Sequence, residues 1–317
     1  MGRNTTIIIM TIGFIGQGFI GKSYADDFEK RGFAVVRYGL QPEYVGNKEK
    51  IKECDIVFIA VNAATVPAGT VRDDGHPAVR YDDSNVRSTP ALARPGAIVV
   101  IKSTLPPGLT ASIQAQYPDR VILHSPEFLL ETTAAKDASS PERNIVGMPV
   151  DDEAHHAAAK TVMELLPKAP YELITTAENA ELIKYGSNAY LFVKIVFSNM
   201  FFELVEKHGA DWEVVREAIG KDPRIGVAHM DLHLKDDAAG VYNRRGAGRG
   251  CFIKDWAELS EMYASAFPED KATIQAMRGF EYKNAELLRE YNRYLNLLEG
   301  VYGKDTSTKL STGAGKK

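Results

Sequence analysis

The sequence predicts an α/β protein: a Rossmann-type, doubly wound parallel sheet followed by an all-α dimerisation and substrate domain. Three observations carry this. β-branched apolar segments alternate with amphipathic helical ones through the first half of the chain. A G-x-G-x-x-G turn, Gly16–Gly21, links the first of these strands to the first helix. From residue 177 onward the alternation gives way to apolar residues every three or four positions.

Ile7–Ile15, closed by Gly16, reads as a buried strand. Gly18–Arg31 reads as a helix with Ile20, Tyr24 and Phe28 on one face and Gly32 past its end. Further strands are expected at Phe33–Tyr38, Ile56–Val61, Ala97–Lys102, Val121–His124 and Asn144–Met148, with helical patterns at Asp83–Ala93 and Thr110–Gln116. The alternation fades after about Leu173. Leu182, Tyr185, Ala189, Phe192, Val196, Met200 and Leu204 then mark one long helix, Ala177–Lys207, of the kind that runs through a domain junction or subunit interface. Asp211–Ile219 is a second helix and Lys221–Gly250 a polar loop region; Phe252–Gly300 returns to helix, broken near Pro268. The expected domains are 1–174 (dinucleotide-binding) and 175–302 (helical), with a disordered Gly, Ser, Thr and Lys tail at 303–317.

A length of 317 residues suits two domains. A net charge of −4 gives no basic footprint for nucleic acid. The longest apolar stretch, Ile7–Ile15, is interrupted by Thr11 and Gly13 and falls short of the roughly 20 residues a membrane span needs, so no membrane partner is expected. Met1–Thr6 fits the loose N-myristoylation pattern, read as coincidence because a strand follows at once. Cys54 and Cys251 form neither a disulfide framework nor a metal set, which suits a reducing cytoplasm. His229, Asp231 and His233 lie in a polar loop with no second cluster, so no metal is expected; His155 and His156 read as solvated helix surface.

In the glycine turn, Gly16 makes the bend, Gly18 lets the backbone approach a pyrophosphate, and Gly21 lets helix and strand pack closely. The helix N-terminus then offers N–H groups to the phosphates. The acid that would hold the ribose hydroxyl is missing near Gly39. Arg37 could instead accept a 2′-phosphate, so NAD is favoured over NADP only modestly. Lys102–Gly108 and His124–Phe128 follow strands and place hydroxyls and a carboxylate at the strand ends where ligands bind, although each taken singly is also an ordinary Pro/Ser turn. Lys184 and Asn188 share one helix face; Glu181, three before Lys184, would by default pair with it as an exposed i,i+3 ion pair. Cys251 closes the loop Gly246–Gly250 and opens a helix whose dipole would stabilise its thiolate. Cys54, ahead of a buried strand, reads as apolar filler.

Taken in order, these segments, with Asp73–Pro77, Pro126–Leu129 and Asp222–Gly226, resemble the UDP-glucose/GDP-mannose dehydrogenase family from about Thr11 to about Gly300, most closely its branch acting on UDP-glucose. The resemblance implies NAD-dependent oxidation of a nucleotide sugar's primary alcohol to the uronic acid, in two hydride transfers through a Cys251 thioester. It assigns Lys184 and Asn188 to the oxyanion, Asp255 and Thr104 to positioning lysine and water, and Glu127 to general base catalysis. It places Gly16, Gly18, Phe19, Ile20, Gly21, Thr104, Glu131 and Lys254 at the cofactor. It places Glu127, Phe128, Leu129, Lys184, Asn188, Arg224, Gly248 and Cys251 at the substrate, with Arg224 reaching across a dimer formed by helix 177–207. The loop Val227–Arg245, with His229, His233, Lys235, Tyr242, Arg244 and Arg245, suits a diphosphate.

The sequence departs from the family pattern in three ways. The family continues into a further α/β domain that is expected to be lacking here, the ribose acid is absent, and Arg249-Gly250 and Ile253 stand where Gly-Ser and Pro are usual. Two alternatives follow: a non-catalytic homologue that binds dinucleotide or nucleotide sugar, and a single-step 3-hydroxyacid-type dehydrogenase.

Overall fold

The computed structural model describes residues 10–72, 75–236, 240–243 and 245–304. The Met1–Thr6 pattern, the start of the first strand segment, Asp73-Asp74 and most of the expected tail lie outside these residues. In chain order the elements are β1 (Thr11–Ile15), α1 (Phe19–Lys30), β2 (Ala34–Tyr38), α2 (Pro42–Val45), β3 (Ile56–Ile59), β4 (Ala64–Val71), β5 (Pro77–Asp82) and α3 (Ser84–Ser88). There follow β6 (Ile98–Ile101), α4 (Leu109–Gln116), β7 (Val121–His124), α5 (Ala134–Ser139), β8 (Arg143–Met148), α6 (Glu153–Leu165) and β9 (Tyr171–Thr176). The remainder is α7 (Ala177–Lys207), α8 (Trp212–Gly220), β10 (His233–Asp236), β11 (Gly240–Asn243), α9 (Arg249–Ala266), α10 (Lys271–Glu290) and α11 (Leu295–Tyr302). The chain forms two compact units, Met1–Ala63 with Asp82–Lys184, and Ala64–Tyr81 with Tyr185–Lys317.

The first unit is a seven-stranded sheet in the order β2-β1-β3-β6-β7-β8-β9. The strand order reverses between β1 and β3, the switch point at which doubly wound sheets bind ligands. The sheet is not wholly parallel: β8 pairs antiparallel with β7, at His124 and Gly147, and then parallel with β9. Residues 125–142, which join two antiparallel neighbours, carry α5, whose Ala138 is buried in the core that α1 shares with the sheet. β9, at the sheet edge and mostly exposed, lacks the continuous apolar run of a buried strand, so its sequence signal is weak. Phe14 stacks on Phe58 at 5.0 Å between ring centroids, and Phe28 meets both edge-on. Burying rings of this size drives much of the packing of α1 on the sheet.

At the β1–α1 turn, Gly16 holds φ +88° and its N–H donates to the Tyr38 carbonyl at 2.9 Å. A Cβ on Gly21 would overlap the Gly16 carbonyl oxygen. His155, expected on the surface, is buried: its ring sits 2.8 Å from Asp152 Oδ1 and 2.9 Å from Gln114 Oε1, tying α6 to α4. Cys54 is fully buried, with its sulfur beside Gly13, and burial pushes its thiol up to about 11.

The second unit is helical, with two small additions. Strands β4 and β5, which sequence patterning missed, pair only with each other, and β10 pairs with β11 inside the expected loop region. Val79 of β5 enters a core with Ile253, Leu288, Val301 and Tyr302. His76 meets Glu281 at 2.5 Å, and Arg72 pairs with Glu261. Phe192 of α7 stacks on Trp256 of α9 at 4.6 Å. Among the described residues α7 alone is long and apolar enough to cross a membrane, a segment the sequence reading had excluded. Its Glu181, Lys184, Asn188 and Asn199 are buried and hydrogen-bonded to protein groups, while Tyr190, Phe197, Met200 and Leu204 are exposed.

Gly21→Ala is expected to lower stability by about 2 kcal/mol or more, because backbone rather than a flexible side chain must move to admit the methyl. Urea unfolding measures it; a loss below about 0.5 kcal/mol would show that the turn can open freely.

Candidate active site

In the first unit the glycine turn has the shape a dinucleotide needs. A side chain at Gly18 would meet nothing within 4 Å, so that position is open to an approaching ligand. No side chain caps α1, and its first turn carries no acid. These features fit a pyrophosphate held by backbone N–H groups. Phe19 and Ile20 open that helix, Phe19 exposed and Ile20 half-buried. The reading of Arg37 as a 2′-phosphate acceptor is corrected. Its guanidinium is bidentate to Glu29, at 2.9 and 2.7 Å, and also meets Asp26 at 2.7 Å. The Gly39 position is crowded by Gln17 and Gln41, whose amide donates to the Gln17 carbonyl at 3.1 Å.

The strand ends beyond β6 and β7 bring several polar groups together within this unit. Lys184 Nζ donates to both the carbonyl and the carboxylate of Glu127, at 2.7 and 3.0 Å. The other Glu127 oxygen accepts the Leu129 N–H at 2.7 Å. Both side chains of this ion pair are 4% exposed. Phe128 lies beneath the Arg143 guanidinium at 3.8 Å and faces Lys184 at 5.4 Å. Thr104 is buried, whereas Glu131 is exposed.

The expected Glu181–Lys184 surface pair does not form. Glu181 is buried and caps α4 instead, accepting the Gly108 and Thr110 N–H groups at 2.7 and 2.9 Å and the Thr110 hydroxyl at 2.5 Å. The uncapped helix start is a stronger partner for that carboxylate than an ammonium three residues along. This frees Lys184 for Glu127. Sequence reading also missed Lys102 as more than a turn residue. Its ammonium is buried over the Tyr24 ring at 4.3 Å and donates to Ser125 Oγ at 3.1 Å; burial, helped by Lys184 and opposed by Glu127, lowers it to about 7. Burial likewise lowers His124 to about 3, so it is neutral beside the Ser103 carbonyl.

In the second unit Asn188 of α7 donates to Asp255 of α9 at 2.6 Å, and Lys254 holds the other Asp255 oxygen at 2.5 Å. Cys251 is half-buried in the first turn of α9, whose N-cap, Gly248, offers no side chain. Gly248 must be small because a Cβ would run into the Tyr294 ring. Two asparagines that sequence reading missed hold the preceding loop. Asn284 accepts the Ala247 N–H at 2.6 Å and donates to its carbonyl at 3.0 Å, while Asn199 accepts the Gly246 N–H at 3.3 Å. Asn199 lies eleven positions after Asn188, about three helical turns, so that spacing was a usable signal.

Other expectations for this unit are revised. Arg245 is buried against Phe202 and bonded to Glu203 at 2.7 Å, which removes it from any diphosphate site. Arg244 and the side chains of His233, Lys235 and Tyr242 lie outside the described residues. Arg224 is exposed and clamped by Asp222, on a turn whose carbonyls of Ile225 and Gly226 accept from Lys194 at 2.8 and 2.9 Å. His229 packs edge-on against Phe252. No cluster of metal-binding side chains occurs among the described residues.

Residues 40–166 match the model of the UDP-glucose/GDP-mannose dehydrogenase family, NAD binding domain, and residues 178–279 match that of the same family's central domain. The chain is 29% identical over 294 residues to a putative UDP-glucose 6-dehydrogenase of Bacillus subtilis, covering 90% of this chain and 60% of that one. It is 33% identical to a UDP-glucose 6-dehydrogenase of Rhizobium meliloti, covering 67% and 46%. Among solved structures, a UDP-glucose dehydrogenase from Pyrobaculum islandicum is similar with a TM-score of 0.67 at 26% identity, covering 92% of this chain and 72% of that one. The chain thus spans about half to three fifths of these curated relatives' length. With both its sheet unit and its helical unit matched, this chain belongs to the UDP-glucose/GDP-mannose dehydrogenase family.

Proposed function

We propose that this protein is an NAD-dependent nucleotide-sugar dehydrogenase that oxidises a primary alcohol, UDP-glucose being the favoured substrate, to the uronic acid. The observation that carries the reading is Cys251 in the first turn of α9, one helical turn before an Asp255 that is buried and held by both Asn188 and Lys254. Gly16–Gly21 would hold the pyrophosphate of NAD, the family resemblance assigns Glu131 and Lys254 to the same cofactor, and bound NAD would supply the hydride acceptor for each oxidation. Thr104 orients the water, and Glu127 takes its proton. Lys184 and Asn188 donate to the oxyanion as it develops. The Cys251 thiolate, favoured by the uncapped helix start, adds to the aldehyde carbon to give a thiohemiacetal. After the second oxidation the resulting thioester is hydrolysed, returning the thiol. The family resemblance assigns Phe128, Leu129 and Gly248 to the sugar nucleotide, with Arg224 reaching it across the dimer. The pairing of Arg37 with Glu29 and Asp26 supports NAD over NADP, since a 2′-phosphate would find that cation already neutralised.

The active form is a homodimer joined through α7. Tyr190, Phe197, Met200 and Leu204 are exposed on that helix, beside an apolar groove of about 270 Å³ lined by Phe197, Phe201, Trp212 and Ile225. Sedimentation is expected to give a dimer and Phe197→Glu a monomer; a monomeric parent chain would end this part of the reading.

A panel of nucleotide sugars with NAD and NADP tests the chemistry directly. NAD is expected to be reduced faster, with two cofactors reduced per acid formed, and Cys251→Ala to form no acid. One cofactor per substrate with an undiminished rate in the variant would favour the single-step alternative. Lys184→Ala is expected to lose two things together. Turnover should fall by about 100-fold or more through the missing oxyanion donor. Stability should fall by about 3 kcal/mol because the Glu127 carboxylate stays buried without its cation. Adding Glu127→Gln should restore most of the stability, read by urea unfolding, and none of the turnover.

A further inference from the structure

Helix α9 carries a row of acids behind Cys251. Asp255 and Glu258 follow it at i+4 and i+7, within one turn's width of the same face, and Glu261 extends the row. Two of the three are neutralised by partners: Asp255 by Asn188 and Lys254, and Glu261 by Arg72. Glu258 differs. It is 6% exposed, and its Oε2 is buried with no hydrogen-bond partner. A carboxylate left this way is strongly disfavoured, whereas a carboxylic acid is tolerated.

The charged groups around Glu258 belong mostly to its own helix: Glu261, Lys254 and Asp255. Of the segments near α9, the residue after β4 is Arg72, already held by Glu261. α10 contributes Glu281, which pairs with His76 and Tyr302, and Arg278, which interacts with Glu281. α11 presents Val301 and Tyr302 to the shared core. Burial, with Glu261 and Asp255 adding and Lys254 opposing, pushes the Glu258 carboxyl up to about 7. Its proton is therefore exchanged in the neutral range.

We propose that Glu258 is a positioning residue for Cys251: holding a proton, it leaves the thiol face of α9 free of a second uncompensated negative charge, and releasing it opposes ionisation of that thiol. The inference rests on Cys251 being the nucleophile of the proposed reaction. Its test is thiol alkylation without any substrate, so failure there is distinct from absence of turnover.

The rate of iodoacetamide reaction at Cys251 is followed from pH 5.5 to 9 in the full chain, with the modified residue identified by mass spectrometry. Cys54, buried and with a raised thiol, stays silent over this range. Glu258→Gln is expected to bring the half-maximal pH down by about one unit, from a unit charge roughly 10 Å away along the helix. Glu258→Met removes the charge while keeping an apolar side chain of similar length, so it is expected to give the same shift if the glutamine variant does not fold. A merely structural Glu258 would alter the unfolding midpoint and leave the alkylation profile in place. Superimposable profiles for the parent chain and a folded variant would overturn the proposal.

Discussion

The buried ion pair of Lys184 with Glu127 is the constraint around which the first unit's polar edge is arranged. An unpaired charge at that depth is strongly destabilising, so the strand end beyond β7 and the start of α7 must come together. Further contacts depend on this meeting. Lys184 grips the Glu127 backbone carbonyl as well as its carboxylate, which fixes the direction of the following Phe128-Leu129 segment. Glu181, one turn earlier, closes the α4 start, so one acceptor, Glu181, and one donor, Lys184, fasten the first turns of α7 to the sheet unit. Lys102 then sits over an aromatic ring, where burial lowers its ammonium well below the usual lysine range.

The second unit uses a different device for the same end. Its cysteine loop is held by neutral amides, Asn199 and Asn284, instead of by charges. Amides satisfy loop N–H and carbonyl groups without adding net charge near a thiol. The charges lie further along α9, where each carboxylate except Glu258 has a cation or amide to meet it.

Much of this was legible in the sequence, for reasons that differ between residues. The glycine turn, the strands β1, β2, β3, β6, β7 and β8 and the long helix follow from apolar periodicity and from glycine's freedom at φ +88°, which are local properties. The grouping of Lys184 with Asn188, and of Cys251 with Asp255, follows from helical spacing. What escaped was non-local. Glu181 was read as the partner of Lys184 because they are three apart, yet a helix start 71 positions away in sequence outcompetes that pair. Arg37 was read as available because Glu29, eight residues back, gives no sequence signal across a helix and a strand. The reversal of β8 was invisible because strand direction is not written in apolar patterning. β4, β5 and β9 were missed because exposed or short strands lack a buried run.

The path of the backbone has a consequence for how this molecule can be divided. It leaves the sheet unit after Ala63, contributes β4 and most of β5 to the helical unit, and returns at Asp82 before departing again after Lys184. No single cut therefore yields two self-sufficient pieces. A fragment ending at Lys184 would carry Val79 and His76 stripped of their core partners, and the complementary fragment would lack a strand pair from its interior. Inheritance of either half by gene fusion would have to bring the interleaved segment along, which binds the two modules into one evolutionary unit.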